Sequence, residues 1–424
     1  MKKSVIQLHE IQIVKNKVFY KYTYSPNLDI YFKNCDDLFI SYDFDVKDIP
    51  KSILAIPWLS NFITIAWFTG STIIVDEMDS EFVECLSILK KGFATTYPEI
   101  LSKKSDLIVH NLVKNNYQEN KEAMLFSGGL DAWTTFLKHK DKKFDLITIL
   151  GSDIELHDVK KVELIKASYN ENPLLAELKA HFISCNFRNF YNRKIERLIY
   201  FNFVDWWTLV QHGLALTGAT APLAYYYGFS KVFIASSFSE NERFLWGSSG
   251  FDNDIKFGNT NIIHDGREFN RIGKTEFVVN QLEDLKLEFP LRVCYKHNFS
   301  DFNCSSCPKC LRMIISLIFN NKNPNDFGFQ VNSTIYDVLI NQLKSNRFTF
   351  ADSIFWTEIV VKIKSSVLFY VFENQEIEKE KIQLVLALLN KNKRNYPSQI
   401  LKFKKNKNDL RNKWHLIKGN YKNK

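Results

Sequence analysis

The sequence predicts an α/β protein: a parallel sheet with helices on both faces, a β-rich α+β N-terminal domain and a helical C-terminal region. Three observations predict it. In the centre, short apolar runs (AMLFS, DLITILG, AHFISC, KVFIASS) alternate with longer stretches of helical periodicity, the pattern of strand and helix units in a covered sheet. Residues 1 to about 46 instead carry successive β-rich runs separated by short breaks. Beyond Phe319, the linker NNKNPNDFG opens a stretch with apolar residues at three- and four-residue spacing.

The elements follow in order. VIQLHEIQIV, KVFYKYTY, LDIYF and DLFISYDF, broken at Ser25-Pro26-Asn27 and Asn34-Cys35-Asp36, read as hairpin-connected strands. From Ile49 to about Tyr97 the pattern becomes a helix over Ser52 to Phe68, the strand STIIV, and a helix from about Ser80 to Thr95 preceded by acidic residues suited to its N-terminus. The central run places strands before helices at Asp131 to Lys140, Asp158 to Ala167 and Asp205 to Tyr227, and ends on the strand KVFIASS. Thr334 to Leu389 reads as helical, with Ile354, Ile359, Val360, Ile363 and Val367 on its apolar face. At 424 residues this divides into 1–120 as an N-terminal accessory domain, 121–318 as the central domain and 319–424 as the C-terminal region.

Composition narrows the function classes. With 45% hydrophobic and 24% charged residues, the chain is neither disordered nor low in complexity. The formal charge of +9 is local, because residues 391–424 hold twelve Lys/Arg against the single acid Asp409 and leave residues 1–390 slightly acidic. That tail, with Phe403 and Trp414 among its lysines, could contact nucleic acid or an acidic partner. Two uncharged runs, Ser52 to Val75 and Trp206 to Ser230, are long enough to span a bilayer but contain too many polar residues, so buried core helices are expected and no membrane association. The start, MKKSVIQLHE, lacks the apolar run of a secretory leader, so a cytoplasmic setting with reduced thiols is expected.

Two motifs carry chemistry. In AMLFSGGLDAWTTFLKH an apolar strand runs into Ser127-Gly128-Gly129, and Leu130-Asp131 then open a helix. Paired glycines let backbone N–H groups approach an anion, and the helix N-terminus adds partial positive charge, so a phosphate or pyrophosphate suits this turn. A plain tight strand-to-helix turn is the alternative. GREFNRIGKT, from Gly266 to Thr275, ends like a phosphate-binding loop, but it has six residues between its glycines where four are needed and no convincing strand before it. The second motif places Cys294 ahead of Cys304, Cys307 and Cys310 in VCYKHNFSDFNCSSCPKCLRM. Four sulfurs from a short knuckle suit a structural zinc ion, with an iron–sulfur cluster as the alternative.

Together these residues resemble the QueC family, the 7-cyano-7-deazaguanine synthases and their relatives. SGGLD resembles the SGGxDS pyrophosphate-binding PP-loop of the ATP pyrophosphatase class, with Ala132 in place of the usual serine, and a Cys followed by CxxCxxC and an Arg, here Arg312, resembles the end of that domain. The resemblance covers about residues 121–318. It implies a PP-loop fold of the adenine nucleotide alpha hydrolase type, ATP and Mg²⁺ as cofactors, and structural zinc on the four cysteines. The implied reaction is ATP-dependent adenylation of a carboxylate, with pyrophosphate release and capture by nitrogen. Gln211-His212-Gly213 stands where the synthases carry Arg-Asn, and their Pro-Asp-Cys-Arg segment is absent. With its long flanking regions the chain looks more like the QueC-like proteins of bacterial anti-phage operons. That implies a deazaguanine-type carboxylate substrate and an operon protein as partner, with preQ0 synthesis or a catalytically degenerate nucleic-acid-binding or scaffold component of a defence complex as alternatives.

On this footing Asp131, Lys274 and Arg312 are candidate catalytic residues. Ser127, Gly128, Gly129, Leu130, Asp131 and Thr134 are expected at the nucleotide, with Thr134 or Thr135 supplying the missing hydroxyl. Gly151 and Ser236, at neighbouring strand ends, are expected to line its adenosine pocket. Asp153, His157, His212, His264, Asp265 and Arg271 are candidates for the second substrate. Arg271 and Lys274 would share a helix face and could clamp an anion, although a solvated basic face suits Arg271 better. His212 reads more readily as a core histidine.

Overall fold

The structure is a computed structural model and describes residues 3–33, 38–117, 120–152, 154–199, 205–240, 251–294, 302–345, 356, 359, 372 and 374–393. The chain divides into two compact units, Met1–Phe302 and Asn303–Lys424.

The first unit opens with a hairpin, β1 (Val5–Val14) and β2 (Lys17–Tyr24), followed by β3 (Phe39–Ser41). Two buried helices come next, α1 (Lys51–Leu54) and α2 (Ile56–Thr69), and then β4 (Thr72–Asp79), α3 (Ser80–Thr96) and β5 (Asp106–Val113). Asp79 caps α3, its carboxylate accepting the Phe82 N–H at 2.9 Å, as the acidic residues before Ser80 suggested. The central strands and helices are β6 (Lys121–Leu125), α4 (Leu130–Lys138), β7 (Asp145–Leu150), α5 (Val159–Glu171) and β8 (Ala180–Cys185). After a wide helical turn at Trp207–Gln211 come α6 (His212–Ala219), α7 (Ala221–Tyr227), β9 (Phe229–Ala235), β10 (Lys256–Phe257), β11 (Thr260–Asp265) and α8 (Arg271–Leu285).

Among the described residues eleven strands form one sheet, in the order β10-β11-β9-β6-β7-β8-β3-β2-β1-β4-β5. The pairs from β11 to β8 are parallel, as are β1 with β4 and β4 with β5, while β8-β3-β2-β1 and β10-β11 are antiparallel. The predicted parallel core is therefore present within a mixed sheet, which the strands of residues 1–120 extend. Within the core, chain order runs outward from β6 to β7 and β8 on one side, then returns to β9 and β11 on the other. That reversal makes a topological switch point between β6 and β9, where a crevice opens at the carboxyl ends of strands.

Side-chain alternation assigns the faces. On β11, Asp265 meets Lys138 at the end of α4 and His139 just beyond it, while His264 turns to the opposite face. The aromatic residues concentrate in the core: Trp58 and Phe62 stack at 4.5 Å between centroids, and Phe62 stacks again on Phe190 at 4.5 Å. The two uncharged runs fall into short buried helices and strands, and no helix among the described residues is long and apolar enough to cross a membrane.

In the second unit, α9 (Pro308–Phe319), α10 (Ile335–Lys344) and α11 (Gln375–Lys393) follow the cysteine knuckle. Leu339 and Leu343 of α10 and Ile382, Val385 and Leu389 of α11 are buried, and Lys381 pairs with Asp337 at 2.5 Å. Of the apolar face expected around Ile354 to Val367, Ile359 is buried, whereas Ile354, Val360, Ile363 and Val367 lie outside the described residues. The same holds for residues 394–424 of the basic tail.

Candidate functional site

The glycine turn lies at the carboxyl end of β6, on the switch point. Phe126 still pairs with β7, its N–H donating to Ile147 at 2.8 Å, and the backbone then turns through Gly128 at φ +71°, a left-handed conformation that glycine adopts without strain. Gly129 caps α4 without a side-chain hydrogen bond among the described residues, at the turn where helical N–H groups lack intrahelical acceptors. Arg292 braces the loop: its backbone N–H donates to the Gly128 carbonyl at 2.9 Å and its Nε to the Ser127 carbonyl at 2.6 Å.

Cations converge on this turn. Arg271 Nη1 lies 3.0 and 3.1 Å from the two carboxylate oxygens of Asp131, and Lys274 Nζ lies 3.0 Å from one of them. Lys274 also donates to the Ser236 carbonyl at the end of β9, so its ammonium bridges the two sides of the switch point. The Lys274 side chain is 1% exposed and that of Arg271 only 16%, so the expectation of a solvated face for Arg271 is corrected. The three-residue spacing on α8 aims both groups at α4. A second correction concerns Gly266: a strand, β11, does run directly into it, disguised in sequence by the polar residues Thr260, Asn261, His264 and Asp265. Asn270 then caps α8 through the Gly273 N–H at 2.8 Å, so the segment starts an ordinary capped helix.

Several other candidates are held by local structure. Thr134 Oγ1 donates to the Leu130 carbonyl of its own helix at 2.9 Å and is buried, so it does not stand in for the serine missing at Ala132. Thr135 is buried as well. Gly151 ends β7 at φ +90°, where a Cβ would collide with the Cys185 carbonyl; close approach of β8 already explains the glycine. Ser236 is buried, and its hydroxyl donates to Phe238 at 2.6 Å. Asp265 pairs with Lys138 at 2.7 Å; burial alone would raise its carboxyl, and the Lys138 hydrogen bond outweighs that and keeps it low. His157 is exposed beside Glu155 at 3.2 Å, and Asp153 lies outside the described residues. Gln211 is buried and donates to Asn61 and to the Phe187 carbonyl, a core role, while the half-buried His212 sits edge-on to Trp207.

On the far face of β11, His264 and Asp252 form a buried pair that sequence reasoning caught only in part. His264 Nδ1 stands 3.7 Å from Asp252 Oδ2, beyond hydrogen-bond reach, and neither side chain has a hydrogen-bond partner among the described residues. Burial, with Arg267 and Lys274 adding to it, lowers His264 to about 3. Burial raises Asp252 to about 7, against a smaller opposing pull from Arg267. Arg292 was missed because nothing in LEFPLRVC marks an arginine as a loop brace except its place two residues before Cys294.

The sulfurs of Cys294, Cys304, Cys307 and Cys310 all lie within 4.8 Å of one another. Separations of 3.9 Å between Cys304 and Cys310 and 3.5 Å between Cys307 and Cys310 approach the edge of about 3.8 Å for four sulfurs around a zinc ion. The Cys307 N–H and the Ser306 hydroxyl point at the Cys304 sulfur at 3.3 and 3.6 Å. The cluster could thus hold a metal ion such as zinc. Arg312, the remaining catalytic candidate, is buried on α9 two residues beyond Cys310.

Comparison with known proteins finds no matching family model, no matching curated protein and no matching solved structure.

Proposed function

We propose that the chain is an ATP-dependent carbon–nitrogen ligase of the PP-loop class. The observation that carries this reading is the glycine turn at the switch point, with the first turn of α4 behind it and Arg271, Lys274 and Arg292 around it. Backbone N–H groups and three cations suit a polyphosphate, and Asp131 supplies a carboxylate oxygen for a hard divalent cation. Mg²⁺, bound with the nucleotide, would neutralise charge on the phosphates. In the reaction a substrate carboxylate oxygen attacks the α-phosphorus and the bond to the β-phosphate oxygen breaks, releasing pyrophosphate. A nitrogen nucleophile then attacks the acyl carbon, and AMP departs as the carbon–oxygen bond breaks. Lys274 and Arg271 are suited to stabilise the departing pyrophosphate, where negative charge accumulates.

The resemblance to the QueC family supplies the finer reading: a 7-carboxy-7-deazaguanine-like base as the carboxylate, a partner-protein amine as the nucleophile, and an anti-phage system as the setting. Pyrophosphate exchange into ATP in the presence of that carboxylate tests the core of the proposal. Asp131→Ala is expected to lower exchange by about 100-fold. Absence of exchange in the wild type, with nucleotide binding intact, would overturn it in favour of a second reading. That reading, a nucleotide-binding component that has lost catalysis, draws on Ala132 and on the Thr134 hydroxyl being committed to its own helix.

A further inference from the structure

We propose that the chain forms a symmetric dimer through β5, the last strand of the sheet among the described residues, paired antiparallel with β5 of a second copy. The two ends of the sheet differ. β10 closes one end with two residues, the short edge that discourages pairing, whereas β5 closes the other with eight. Ile108 and Leu112 on β5 are 44% and 60% exposed, although both are apolar residues on a strand.

The sequence of β5 is complementary to itself. Across a two-fold axis normal to the sheet, opposed residues share a face, so with His110 on the axis Ile108 meets Leu112, Leu107 meets Val113, Asp106 meets Lys114 and Val109 meets Asn111, each pair occurring twice. Both faces of the junction then carry apolar pairs and both ends carry opposite charges. Moving the axis to Val109 sets Lys104 against Lys114, and moving it to Asn111 sets Ile108 against Lys114; neither register is matched. His110, on the axis, lies 3.6 Å from Asp76. This self-complementarity favours a second copy over a foreign strand, and it does not depend on the catalytic reading.

Sedimentation of the full chain over a concentration series is expected to show a monomer–dimer equilibrium. Lys114→Asp or Asp106→Lys alone should raise the dissociation constant about tenfold, since each change breaks two pairs and creates like-charge contacts. The double variant D106K/K114D should return it close to the wild-type value. Asp106 also pairs with Lys3, and that contact is lost in the double variant as well, so recovery reports only the intermolecular pair. A short bis-maleimide should link His110→Cys into dimers above the wild-type background. It should not link Lys114→Cys, whose two copies stand about 25 Å apart in this register. A monomer at every concentration, a dimer indifferent to Lys114→Asp, or equal linking at both cysteine positions would overturn the proposal.

Discussion

Asp252 and His264 show how burial sets the chemistry of single residues. A buried carboxyl without a hydrogen-bond partner holds its proton, and a buried imidazole without one sheds it, because each charged form loses hydration that nothing replaces. The folded value of Asp252, about 7, stands above the unfolded 3.8, so the unfolded chain releases this proton first as pH rises. Stability is therefore lost between about pH 4 and pH 7. Asp252→Asn, which cannot ionise, is expected to raise the melting temperature at pH 8 and to change it little near pH 4. A variant equally shifted at both values would show that the carboxyl is not held neutral. At the glycine turn the same low-dielectric logic runs in reverse: Lys274 stays buried because Asp131 and the Ser236 carbonyl receive its hydrogens.

At the scale of elements, His181 joins three segments. Its ring, buried on β8, bonds Asp43 beyond β3 at 2.9 Å and Asp145 at the start of β7 at 3.0 Å. Burial pulls its pKa down, but the hydrogen bonds to the two carboxylates outweigh it and raise it above 6.5. A raised folded value means that this tie is complete below pH 6.5 and weakens as pH climbs through the folded value. His181→Ala should cost about 2 kcal/mol in urea unfolding at pH 6, and the difference from wild type should narrow at pH 9. Within the second unit the Asn303 and Gln342 amides hold the CxxCxxC turn, donating to the Gly328 and Ser306 carbonyls at 3.0 and 3.1 Å. Purified protein is expected to carry one zinc per chain by elemental analysis, and Cys307→Ser to lose it with a lower melting temperature. Retention of full metal by that variant would remove Cys307 from the ligand set.

For the whole molecule, the shared sheet governs what can be separated. β8 pairs with β3, α2 packs on α6, and the Tyr42 hydroxyl donates to the Ala219 carbonyl at 3.0 Å, so residues 1–120 complete the central core. A chain beginning at residue 121 would expose the β8 edge and the apolar face of α6. It is expected to be insoluble or to melt without a cooperative transition; a soluble fragment with a sharp calorimetric transition would refute this. Much of the architecture was legible beforehand, because local patterns carried it: apolar runs marked β6 to β9, Asp79 announced α3, and the paired glycines announced a turn before a helix. β5 and β11 were not legible. Their alternation is broken by polar residues, exposed ones such as His110 and Asn111 on β5 and buried or paired ones such as His264 and Asp265 on β11, and Asp265 finds its partner, Lys138, in a distant segment. By itself the sequence determined the glycine turn, the cysteine spacing and most element types, since these depend on neighbours within a few residues. Only the tertiary structure decided that Arg271, Lys274 and Arg292 gather at the turn, that Gly151 answers to β8, and that Asp252 faces His264. Each of these is a contact between distant segments, fixed by strand order and by which face of the sheet a side chain meets.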